Sequence, residues 1–146
     1  MTGKITVILL ISITLIFGLF FFYFQNYAYY SVVSSKKQIV VNKKQIKVKD
    51  YVGIRSDTSK LKLRGCFKLN PSEFKFFNRS SKASPLSAPF WFDCFDYKEI
   101  QNNIDDGTLK AYLAEENEYP GIDRYVAISI NGIGYEWRQL NKKYEK

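Results

Sequence analysis

Residues 122–140 read IDRYVAISINGIGYEWRQL, two strand-like runs (122–130 and 133–140) joined by Asn131-Gly132. Asn-Gly between such runs is the strongest short-range hairpin signal, because both turn positions need a positive φ. Upstream, Tyr119-Pro120-Gly121 makes another turn, and 108–114 (TLKAYLA) reads as a third strand. These residues predict a three-stranded antiparallel meander.

Further toward the N-terminus, 96–106 (DYKEIQNNIDD) predicts a helix. Asp96 and Glu99 form a capping-box-like pair, Ile100 and Ile104 an apolar stripe, and Gly107 the stop. Residues 60–69 (KLKLRGCFKL) alternate strictly. Leu61, Leu63, Gly65 and Phe67 face one way, and Lys60, Lys62, Arg64, Cys66 and Lys68 the other, the mark of a half-buried strand. Residues 36–49 (KKQIVVNKKQIKVK) predict a hairpin around Asn-Lys-Lys, with Val41, Ile46 and Val48 inward. Asn70-Pro71-Ser72 is a turn leading into a single helical turn through Phe76. Residues 78–89 (NRSSKASPLSAP) have no periodicity and read as loop. The class is α+β: residues 34–146 form a small antiparallel-sheet domain with one main helix. Phe67, Phe90, Trp91, Phe92, Phe95, Tyr112, Tyr125 and Trp137 are its core aromatics.

Ahead of this domain, residues 5–24 (ITVILLISITLIFGLFFFYF) carry no charge. Twenty residues of helix span about 30 Å, the thickness of a bilayer core, and Tyr23, Tyr27, Tyr29 and Tyr30 suit the headgroup level. Residues 1–33 are therefore read as a transmembrane anchor with a helical extension to about Val32. A cleaved signal peptide has a shorter apolar core, and the best cleavage position, after Ala28, puts Asn26 at −3. No cysteine follows the segment to accept a lipid.

The chain has 146 residues, a net charge of +8 and no histidine. That length suits one domain behind the anchor. Without histidine there is no Ser-His or Cys-His nucleophile and no histidine-kinase chemistry. Two cysteines alone cannot complete a four-thiolate zinc site. No nucleotide-binding or nucleophile-elbow motif occurs. No catalytic residue, metal ligand or cofactor is assigned. Lys142-Lys143-Tyr144 is a basic-aromatic patch, but no nucleic-acid-binding pattern accompanies it, so nucleic acid is not expected as a partner. Glu115, Glu116 and Glu118, with Asp105 and Asp106, read as a solvated turn rather than as paired acid–base carboxylates.

Three features carry candidate functions. Cys66 and Cys94 either form a disulfide or are two separate buried thiols. Residues 88–97 (APFWFDCFDY) crowd five aromatics into ten positions. Phe90, Trp91 and Phe92 there either present an interaction surface or plug the core ahead of the helix. Thr14 and Gly18, four residues apart on the span, would allow close approach of a second helix. Orientation is ambiguous. Lys36, Lys37, Lys43, Lys44, Lys47 and Lys49 follow the span, and positive charge normally stays in the cytoplasm. Yet the same lysines read as the polar face of a folded hairpin.

The aromatic exit FYFQNYAYY, LRGCF at 63–67, APFWFDCFD at 88–96, GIDRYVA at 121–127 and GYEWRQLN at 134–141 resemble an uncharacterised family of small, single-span, membrane-anchored alphaproteobacterial proteins. The resemblance implies no chemistry. In the family the flank after the span is less basic where this chain has its lysines, and the pattern matches the cysteines at 66 and 94. Both favour a domain on the periplasmic face of the inner membrane. The expectation is a non-enzymatic accessory that meets the lipid bilayer and another envelope or membrane protein. The alternatives are a tethered enzyme using carboxylates and tyrosines, and a cytoplasm-facing sensor or lipid-contact module.

Overall fold

The computed structural model describes residues 2–141; the Lys142-Lys143-Tyr144 patch lies outside them. Helix α1, Gly3–Asn26, is apolar on all sides, and every residue through Gln25 is exposed. It is long and apolar enough to cross a membrane. The sequence predicts helix to about Val32, but α1 stops at Asn26 and Tyr29 turns the chain with a φ of 66°. Strand β1, Tyr30–Ser34, follows at once and pairs with residues 52–56. Local sequence does not separate the two outcomes; a β-rich YSVVS segment becomes strand where a partner strand waits.

The remaining elements are β2 (Gln38–Val41), β3 (Lys44–Lys47), β4 (Lys49–Ser56), β5 (Leu63–Lys68), a 3-10 turn (Pro71–Phe74), α2 (Tyr97–Asp105), β6 (Leu109–Tyr119), β7 (Ile122–Ser129) and β8 (Ile133–Leu140). Six strands form one antiparallel sheet in the order β1-β4-β5-β8-β7-β6, while β2 and β3 form a separate hairpin. The predicted meander is its β6-β7-β8 half, and β5, the alternating strand, pairs with β8. Asp96 caps α2, its side chain accepting from the amides of Lys98 and Glu99. Gly132 has a φ of 86°, and a Cβ there would lie 2.3 Å from the Leu69 carbonyl oxygen. The turn therefore requires glycine both for its conformation and for its close approach.

Both faces of the sheet are covered. On one, Ile39, Val41, Ile46 and Val48 of the hairpin pack against Tyr51, Phe67, Tyr112, Val126 and Ile128. On the other, α2 and the loop before it bring Ala83, Phe92, Phe95 and Ile100 against Ile54, Ala111, Tyr125, Ala127 and Trp137. Covering the second face with an aperiodic loop requires partners for the loop's backbone. Gln139 accepts from the Ser84 amide and donates to the Lys82 carbonyl. Arg64 donates to the carbonyls of Leu86 and Ser87. Arg64, expected on the solvent face of its strand, is therefore buried beneath this loop. Burial lowers its guanidinium to about 10. The free edge of β6 is also covered: the Asn42 amide donates to Ala114 and the Ser80 amide to Ala111, which blunts an otherwise open strand edge.

Candidate functional site

Two assemblies stand out, a joint between helix and domain and a charged network inside the sheet. The joint is built by residues 88–95. Pro89 starts a turn whose closing bond runs from the Phe92 amide to the Pro89 carbonyl, 2.9 Å. This directs Phe92 into the core, where it is 6% exposed, and leaves Phe90 63% exposed. Phe90, counted among the core aromatics in the sequence, is instead at the tip because the turn points it away from the sheet. Its ring packs on Phe22 and Tyr27 of the helix end, centroids 6.0 Å apart in both cases. Trp91 stacks on Tyr27 at 5.9 Å with planes 10° apart, and its indole N–H donates to the Asn26 carbonyl, one of the groups left open at the helix C-terminus.

Cys66 and Cys94 are joined in a disulfide, with Cα atoms 6.3 Å apart. The bridge ties β5, near the centre of the sheet, to the segment that grips the helix. Beside it lies an open apolar groove of about 390 Å³, walled by Val52, Trp91, Ile133, Tyr135 and the two cysteines. Thr14 and Gly18 are not brought to this site. They lie exposed on α1, where the Thr14 hydroxyl donates to the Leu10 carbonyl, 2.8 Å, and no atom approaches the open side of Gly18.

The charged network lies under the β2–β3 hairpin. Glu136 has no exposed surface. The Tyr51 hydroxyl donates to its Oε1, while Arg124 Nη1 lies 3.5 Å from Oε2 and Lys36 Nζ 3.6 Å from Oε1. Tyr51 reaches this position by lying across Gly53 and Gly65; a Cβ at either glycine would meet its hydroxyl at 2.7 Å. Burial, and next the adjacent Glu136, push the Tyr51 hydroxyl above its ordinary range, so it serves as donor. Arg124 continues the chain to Glu118 at 3.1 Å, and Glu118 meets Arg138 at 2.9 Å. Burial pushes the Glu118 carboxyl up, but the Arg138 hydrogen bond and the two guanidinium charges outweigh it and hold the group below its usual range.

Of the acidic cluster predicted to be a solvated turn, Glu115 and Glu116 are exposed, whereas Glu118 turns inward to the two arginines. Asp105 and Asp106 sit apart at the end of α2. The roles of Tyr51, Arg124 and Glu136 were missed in the sequence. Their signal was the strand register: Arg124 shares a face with Val126 and Ile128, and Glu136 lies between Gly65 and Val126 in adjacent strands. Among the described residues, no three His, Cys, Asp or Glu side chains gather in a metal-holding group.

Residues 33–146 match a family of unknown function (DUF6446), and the chain belongs to it. No curated protein matches the chain, and no solved structure does.

Proposed function

We propose that this member of a family of unknown function is a single-pass inner-membrane protein with a periplasmic domain, acting as a non-enzymatic partner for another envelope protein. The Cys66–Cys94 bridge carries the reading. Structural disulfides persist in oxidising compartments and are rare in the cytosol, and this one closes the segment that clasps the helix.

Two further observations support the orientation. Lys36 is paired with buried Glu136, and Lys44 with Glu73 at 3.3 Å. Part of the basic flank is therefore balanced within the domain and adds less to the charge that would hold it in the cytoplasm. Arg124 donates to the Glu118 carboxylate and to the Val40 carbonyl of the hairpin while lying 3.5 Å from Glu136, which the Tyr51 hydroxyl also meets; this ties the hairpin to the sheet and suits a rigid scaffold. The groove beside the disulfide supplies an apolar surface for a partner.

Orientation is tested by labelling intact cells with a membrane-impermeant maleimide after mild reduction. Cys94 is exposed, and labelling without permeabilisation is expected. Labelling only after the membrane is opened would put the domain inside the cell. Crosslinking in native membranes tests the partner; recovery of this chain alone would count against one.

A further inference from the structure

The tip at Phe90 has a position relative to the span that bears on what covers it. Phe22 lies two residues inside the charge-free run 5–24 and four residues before the helix end at Asn26. At 1.5 Å per residue, its Cα is about 6 Å deeper than the end of the helix. Phe90 packs on Phe22 with centroids 6.0 Å apart and remains 63% exposed. Phe90 packs equally closely on Tyr27, one residue past the helix end, so if the span sits in lipid the outer face of Phe90 is carried to a level between Phe22 and the helix end. An apolar surface buried about 5–10 Å lies at the boundary of headgroups and acyl chains.

The neighbouring surface has matching chemistry. On the other side of Pro89, a cleft is walled by Phe21 and Phe24 of the span, by Tyr30 and by Lys62. Lys62 places its ammonium 5.0 Å from the Tyr30 ring centroid. An ammonium beside apolar rings at the end of a span fits a phospholipid, whose phosphate lies just outside its acyl chains.

We propose that the 88–91 turn is a second membrane contact: Phe90 enters the headgroup–acyl boundary beside Phe22, and Lys62 faces lipid phosphate. This rests on the anchored reading above and adds to it that the domain lies against the bilayer at a fixed tilt, with the disulfide-bridged segment as brace. The exposed surface of Phe90 continues the lipid-facing surface of the helix, so lipid is its occupant.

The test uses the full chain in phosphatidylcholine vesicles. Phe90→Trp adds a fluorophore at the tip, and Leu15→Trp, in a second variant, adds one inside the span. Emission above the parent protein is measured with lipids brominated near the headgroup end of the chain, with lipids brominated near the methyl end, and with aqueous iodide. The expected result is that the Phe90→Trp signal is quenched severalfold more by shallow bromine than by iodide, while Leu15→Trp responds most to deep bromine. A tip signal quenched by iodide and blind to bromine, with Leu15→Trp still quenched by lipid, overturns the second contact and leaves the anchor standing. If Leu15→Trp is also blind to bromine, the anchor reading fails first. A tip open to iodide in lipid vesicles but shielded in native membranes assigns the surface to a protein and also overturns the proposal. Unchanged thermal unfolding of both variants establishes that the fold is intact.

Discussion

Glu136 sits inside the domain beside Tyr51, Arg124 and Lys36. It has no exposed surface, and Arg124, itself 5% exposed, is the buried cation beside it. Removing one partner of a buried pair strands the other, at a cost of about 3–5 kcal/mol. Arg124→Met is therefore expected to destabilise the chain by about that amount, read as a lower urea midpoint. The variant would also leave Glu118 with Arg138 as its one remaining ion-pair partner. Glu118 makes the domain acid-sensitive. Its folded carboxyl lies below the ordinary value of 4.5, so its ion pairs stabilise the fold above that pH. This contribution is lost as pH falls through the folded value. Unfolding free energy measured against pH should drop below about 4.5, and Glu118→Gln should flatten that part of the slope.

Individual elements show where local chemistry suffices and where it is overridden. The Asp96 cap of α2 forms as its residue type dictates, whereas the expected two-residue Asn131-Gly132 turn is one residue longer: the Gly132 amide closes on the Ser129 carbonyl, and of the two residues only Gly132 takes a positive φ. The β2–β3 hairpin is less comfortable. Asn42 and Lys43 have φ of 48° and 67°, which suits the tight hairpin turn but places a lysine where glycine is favoured. Lys43→Gly should raise stability by about 0.5–1 kcal/mol, the left-handed strain relieved exceeding the entropy gained by the unfolded chain. Equilibrium unfolding in urea would measure it, and a fall in stability would mean that Lys43 makes a compensating contact. At β1 the local signal does not decide. Its tyrosine and two valines continue an apolar helix as readily as they start a strand, and only pairing with residues 52–56 decides for the strand. Alternation in β5 correctly predicts Leu63 and Phe67 as inward but misplaces Arg64, because a period-two pattern cannot show that a loop covers the other face.

For the whole molecule, the Cys66–Cys94 bridge connects three parts: the sheet through β5, the covering loop, and the helix through Phe90 and Trp91. Its cysteines are 28 positions apart, a closure worth about 3–4 kcal/mol in the chain-entropy account. Replacing both with serine should lower the unfolding free energy by about that amount. It should also free the helix joint, seen as increased accessibility of Trp91 to iodide. Stability lost without such exposure would mean that the aromatic stacking holds the joint unaided. The sequence by itself determined the long apolar helix, the two hairpins, the capped helix and the α+β class, because each is encoded by residues close together in the chain. Tertiary structure alone decided the strand order, the burial of Arg64, the seating of Tyr51 over two glycines and the clasp of Trp91 on Asn26. The hydrogen bond that seated Tyr51 makes to Glu136 and the clasp of Trp91 on Asn26 join residues 85 and 65 positions apart. Contacts of that range arise only when the sheet assembles, and periodicity along the chain carries no record of which distant side chain completes them.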